Sequence, residues 1–266
     1  MPGDAKEIEV FVVVAAMTWA LLLVGAAVIV MPLWWVRSKG EASDPHGLAE
    51  GELDAGPSVA WPLVAAAVWL LVNLVLLLTP RVGPFTELAW NWQGKLLAFA
   101  ASLALVAVWS RLRWRDVGVT RPSSDVWVPV VVIATASVAA YLVMGASIDD
   151  RGAYLETLLF QATMPGLEEE LLFRGILWAL IDRALPGTRR VMGARLGWAF
   201  VITTLLFGLG HGVAVDGDLM VSFSFAATIF TGMVGFALGW VRARSGSIIP
   251  AIVLHNLFNV ALVVLG

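Results

Sequence analysis

Cysteine is absent from the 266-residue chain. That removes a disulfide framework, a thiolate metal site and a cysteine nucleophile from consideration. Charge is scarce as well, with 14% Asp, Glu, Lys and Arg together, where a soluble domain carries about 25%. Lys+Arg 17 against Asp+Glu 20 leaves a formal charge of −3, so the basic footprint of a nucleic-acid partner is missing. Only three histidines and two tyrosines occur. Apolar side chains fill the space instead, at 59%, against roughly 45–50% in an ordinary soluble domain. Disorder is incompatible with that composition, and a soluble fold cannot hide so much apolar surface. The bilayer is the natural solvent, and the expected class is an integral membrane protein.

A spanning helix needs about 20 mostly apolar residues. Eight stretches qualify, at roughly Val10–Trp35, Val59–Thr79, Leu96–Trp109, Val126–Met144, Leu167–Leu185, Leu196–Gly210, Leu219–Trp240 and Ile248–Leu265. The runs are continuous, without the ten-residue alternation of barrel strands, so the expected fold is all-α, a polytopic bundle of about eight transmembrane helices. The first stretch is too long for a signal-peptide core. Between the first two lies an acidic loop, 37–58, with Glu41, Asp44, Glu50, Glu52, Asp54 and a solvated His46. Tyr154–Gln161 reads as a short interfacial helix. The expected organisation is one membrane domain, with N-terminal helices over 1–153 and a catalytic helical core over 154–266.

Arg37, Lys39, Arg111, Arg113, Arg115, Arg121, Arg183, Arg189, Arg190, Arg195, Arg242 and Arg244 fall on one side of this arrangement. Lys6, Arg81, Lys95 and Arg151 fall on the other. The positive-inside rule places the first group in the cytoplasm and both termini outside. Trp34, Trp35, Trp61, Trp90, Trp92, Trp109, Trp127, Trp198 and Trp240 stand near the expected helix ends, as an interfacial belt does. Trp178 lies mid-span and reads as packing.

An ionisable group at the centre of a spanning helix costs roughly 2.5–3.5 kcal/mol and marks function by default. Here such groups concentrate in the last hundred residues. The fifth span opens Pro165-Gly166-Leu167-Glu168-Glu169-Glu170-Leu171-Leu172-Phe173-Arg174. Pro and Gly suit a helix start, and an acid in the first turn suits the dipole, which accounts for Glu168. Glu170 and Arg174 are i,i+4 and pair on one face. Glu169 points about 100 degrees away and is free to face something else. His211 ends the sixth span after Phe207. In the eighth, His255 and Asn259 are i,i+4 and share a face. A carboxylate that takes a proton from water, a histidine that orients it and a His/Asn pair that donates to an oxyanion are the parts for hydrolysing an amide. Glu169, His211 and His255 are also the donor types of a Zn2+ or other divalent-metal site with one open position. The H-E-x-x-H pattern is absent, so spacing by itself does not establish a metal.

At these residues the chain resembles the CPBP family, the CAAX-processing and bacteriocin-processing (Abi) intramembrane proteases that include the prenyl-protein CAAX endopeptidases. The family motifs E-E-x-x-x-R, F-x-x-x-H and H-x-x-x-N read here as Glu169-Glu170 to Arg174, Phe207 to His211 and His255 to Asn259. Each is weak alone; the three in order, each in an apolar helix, are specific. The likeness covers roughly Tyr154–Leu265. It implies Glu169 as general base, His211 as the residue positioning the water, His255 and Asn259 at the oxyanion, Glu170 and Arg174 as a supporting pair, and Phe207 shaping the pocket. The family is often labelled metalloprotease, and a metal-free glutamate mechanism has also been put forward for it.

The expected activity is therefore endoproteolysis of a peptide or membrane-protein substrate. The Arg-rich, Lys-poor usage resembles a high-GC bacterium, which suggests a bacterial plasma membrane and makes a prenylated CAAX peptide a poor candidate. The charge count puts Glu169 and His211 near the extracytoplasmic ends of their spans, whereas CAAX-cleaving members are reached from the cytosol. Two rivals use the same residues differently. A proton- or cation-coupled transporter would use the Glu/His cluster as an ion path, and a silent scaffold would bind a membrane partner without cleaving it.

Overall fold

The computed structural model describes residues 60–145, 154–186, 188–215 and 221–265. The expected first span, the acidic loop and His46 lie outside the described residues. Helix α1 is Ala60–Leu78 and α2 is Trp92–Val108, where the Asn91 side chain caps the first turn by accepting the Gly94 N–H at 3.0 Å. A short 3-10 turn at Ser124–Val126 leads into α3, Trp127–Met144. Helix α4 is Tyr154–Gln161, as its apolar and acidic pattern predicts. Helix α5, Met164–Glu170, runs directly into a π-helical stretch, Leu171–Leu177, and then α6, Trp178–Ala184. The uniform fifth span expected from sequence is thus three helical segments with a widened centre, and such π-turns are frequent at functional sites.

Two short antiparallel hairpins depart from the all-helical expectation. Strands β1, Thr188–Val191, and β2, Ala194–Gly197, pair with Arg190 opposite Arg195. Met192 (φ 48°) and Gly193 (φ 79°) make the turn; two successive positive φ values are what a type I′ turn requires. Helix α7 is Trp198–Gly212, so Leu196 belongs to a strand and not to the sixth span. Strands β3, Val213–Val215, and β4, Val221–Phe223, pair next. Helix α8, Phe225–Ser245, is capped by Ser224 and stopped by Gly246 in the left-handed region. It starts and ends later than the seventh expected span. Helix α9 is Ile249–Leu265.

The α5–π–α6 rod is the axis of the bundle. All seven residues of Leu171–Leu177 are buried, and α1, α2, α7 and α9 pack around the rod. The outer surfaces are apolar too: Val128, Val131, Val132 and Val143 on α3 and Ile229, Met233 and Phe236 on α8 are exposed. Helices that are apolar both inward and outward suit lipid, not water. The stretches 124–144 and 225–245 are long and apolar enough to cross a membrane.

The connectors segregate. At one end Ser247 Oγ donates to Thr120 O, Ile248 N–H to Gly118 O, and Arg183 to Arg111 O and Asp116. This end carries most of the arginines, while Arg81 donates to Leu88 O and Ala89 O at the other. At the other end Glu156 on α4 accepts the Ala89 and Trp90 N–H groups at 3.2 and 3.1 Å. It also accepts the Trp92 indole at 3.3 Å, and Trp90 stacks on Phe160. That cluster fixes where α2 begins. Arg242, counted above as a loop charge, is a buried residue of α8 whose Nε donates to Arg174 O. Trp178 is buried, edge-on to Phe200.

Candidate active site

Three elements bring the motif residues together. Helix α5 supplies Glu169 and Glu170, α7 supplies Phe207 and His211, and α9 supplies His255 and Asn259. Close approach of α5 and α9 depends on Gly166: its N–H donates to Asn256 Oδ1 at 2.9 Å, and a Cβ there would collide with that amide.

Glu170 is the buried anchor. Its Oε1 accepts from Arg174 Nη1 at 3.0 Å and from His255 Nδ1 at 2.8 Å. Arg174 is fully buried; Nη2 donates to Gly235 O at 3.0 Å and the guanidinium lies 4.3 Å from the Phe207 ring centroid. A charge inside a bundle is tolerated only with such partners. Donation of Nδ1–H to Glu170 turns His255 Nε2 toward Glu169, in the manner by which second partners orient functional imidazoles.

Glu169 faces elsewhere, as the helical offset requires. Its Oε2 lies 3.7 Å from His211 Nε2 and 4.0 Å from His255 Nε2. That oxygen is buried and has no hydrogen-bond partner among the described residues. His211 Nδ1 is 2.8 Å from Phe207 O. A carbonyl only accepts, so Nδ1 carries the proton and Nε2 of the neutral ring is an acceptor aimed at the same point. The His211 side chain is 40% exposed and Glu169 13%, so the cluster is reached past His211. A cavity of about 450 Å³ opens onto it, with Tyr141, Phe160, Phe230 and Phe258 among its walls.

Three contributors were not legible as site residues. Lys95, counted above as a loop charge, sits in the first turns of α2. Its Nζ lies 2.6 Å from Glu168 Oε2 and 2.6 Å from Glu169 Oε1. Glu168 is therefore no capping acid: it lies in the second turn of α5, buried, with Lys95 as partner. Gln161, at the end of α4, accepts from Asn259 Nδ2 at 3.0 Å. The amide-rich end of α4 offered no spacing signal toward Asn259, which is 98 residues away.

The donors fit a metal poorly. Two ligand atoms on one tetrahedral zinc sit about 3.4 Å apart given bonds of roughly 2.0–2.1 Å, shorter than both Glu169–imidazole separations. Glu169 Oε1 already holds an ammonium. Among the described residues no group of three or more His, Cys, Asp or Glu has metal-binding geometry. The separations suit a water hydrogen-bonded between the groups.

Residues 151–261 match the family model for type II CAAX prenyl endopeptidase Rce1-like proteins. That segment, less than half of the chain, holds every motif residue, and the match supports the CAAX protease family, whose members are membrane-embedded endopeptidases. No curated protein and no solved structure matches the chain.

Proposed function

We propose that the chain is an intramembrane endopeptidase that hydrolyses a peptide bond of a peptide or membrane-protein substrate with an activated water. The observation that carries this reading is the buried, unpartnered Glu169 Oε2 facing two imidazole Nε2 atoms at the wall of an apolar cavity. A water held there donates one proton to Glu169 Oε2 and the other to His211 Nε2, which leaves an oxygen lone pair for the scissile carbonyl carbon. Glu169 takes the proton as the bond forms and returns it to the leaving amine. Asn259 Nδ2 has one N–H on Gln161 and a second for the oxyanion; His255 Nε2 donates there in its doubly protonated form. Glu170 and Arg174 hold His255 and do not touch the substrate. No step is routed through a metal.

The reading extends to eight spans, with the arginine-rich end in the cytoplasm of a bacterium and both termini outside its plasma membrane. It places the cavity, which lies at the opposite end, within reach of the extracytoplasmic side. Helices over 1–153 and the core over 154–266 then form one domain. Purified protein in detergent, offered a panel of internally quenched peptides and single-span proteins, tests it: Glu169→Gln lowers cleavage at least about 10²-fold, the scale of general-base catalysis. Intact cleavage by that variant sinks the mechanism. The largely buried Lys95–Glu168–Glu169 charges also suit a proton or cation path. That second reading predicts ion-dependent flux in liposomes and no cleavage.

A further inference from the structure

We infer that Lys95, which lies outside the family-matched segment, is a positioning residue of the hydrolytic site: it clamps one carboxylate oxygen of Glu169 so that the other stays aimed at the imidazoles. The inference rests on Glu169 being the base. Its ground is the way the cluster is wired. Lys95 Nζ makes two contacts of 2.6 Å, one to Glu168 Oε2 and one to Glu169 Oε1, and its side chain is 15% exposed. One acid is enough to balance the charge of the largely buried ammonium, and Glu168, with a side chain 1% exposed, is that acid. The contact to Glu169 does something further: it makes the two carboxylate oxygens inequivalent. The terminal torsion of a glutamate is broad and close to two-fold, so an unclamped carboxylate spreads its oxygens over many directions. With Oε1 held by Lys95, Oε2 is left at 3.7 and 4.0 Å from the imidazoles.

The charged groups around Glu169 come from five elements. Lys95 approaches from α2, Glu168 and Glu170 flank it on α5, Arg174 follows on the π-helical stretch, and His211 and His255 face it from α7 and α9. Arg174 is committed to Glu170 and Gly235. Lys95 is the cation that touches the Glu169 carboxylate. The position of Lys95 is itself imposed: Asn91 caps α2 one turn earlier, and Glu156 binds the backbone just before it. The N-terminal part of the chain therefore completes the site instead of merely surrounding it.

The full chain in detergent micelles, assayed on an internally quenched apolar peptide that the parent protein cleaves, tests this with four variants. Lys95→Met lowers kcat about 10–100-fold, the range of a misplaced catalytic group, with KM changed less than about two-fold. Lys95→Arg, which keeps a cation able to bridge two carboxylates, recovers most of that loss. Lys95→Met combined with Glu168→Gln removes the uncompensated buried acid, so its unfolding midpoint returns toward the parent while kcat stays as low as in Lys95→Met. Parental kcat in the double variant, or in a folded Lys95→Met, overturns the positioning role. Glu169→Gln separates the two readings. If it is inactive while Lys95→Met is normal, only the Lys95 inference falls; if it cleaves normally, both fall.

Discussion

Arg174→Leu is the sharpest test of what holds the site together. The guanidinium is fully buried, pairs with Glu170, donates to Gly235 O and lies over Phe207. Leucine fills most of the volume but leaves the Glu170 carboxylate without its cation, and breaking a buried pair from one side costs about 3–5 kcal/mol. The Gly235 carbonyl left without its donor and the lost guanidinium–ring contact add to this, within about 1–3 and 0.5–2 kcal/mol respectively. These terms overlap, and the leucine recovers some packing, so the expected loss is about 4 kcal/mol, a large share of an overall stability of roughly 5–15 kcal/mol. Arg174→Leu with Glu170→Leu behaves differently. Exchanging a whole buried pair for apolar groups is often neutral, and what remains is the Gly235 carbonyl without its donor, common to both variants, and the unpaired Nδ1–H of His255, worth about 1–3 kcal/mol. Reversible unfolding in mixed micelles, followed by tryptophan fluorescence, measures both. A single variant within about 1 kcal/mol of the parent, or a double variant no better than the single, refutes the account of Glu170 as a carboxylate held by Arg174.

Gln161→Leu removes the acceptor that orients Asn259; kcat falls about 10-fold, equivalent to roughly 1.4 kcal/mol of transition-state stabilisation, while the unfolding midpoint moves little. Gly166→Ala drives a methyl group into Asn256 and separates α5 from α9, for a stability loss of about 1–3 kcal/mol by the same unfolding assay. Treatment of the purified protein with a strong chelator leaves peptide cleavage unchanged, because the Glu169 and histidine donors suit a water; loss of activity restored by added zinc would reverse that conclusion.

Composition determined the class of molecule, since 59% hydrophobic residues with 14% charged leave few alternatives to lipid. Spacing along single helices determined the division of labour between adjacent acids: four residues separate Glu170 from Arg174, and the 100-degree step to Glu169 follows from the helix itself. The same local reasoning misjudged Glu168, Lys95 and Arg242, because capping and loop assignments look only at chain neighbours. Their partners were set by which helices face each other. Lys95 meets Glu168 and Glu169 across 73 and 74 residues, and Asn259 meets Gln161 across 98. No periodicity encodes such pairs, because they arise when α2, α4, α5, α7 and α9 pack around one cavity. Local spacing therefore named the candidate groups, and tertiary packing decided which oxygen of Glu169 faces the two imidazoles.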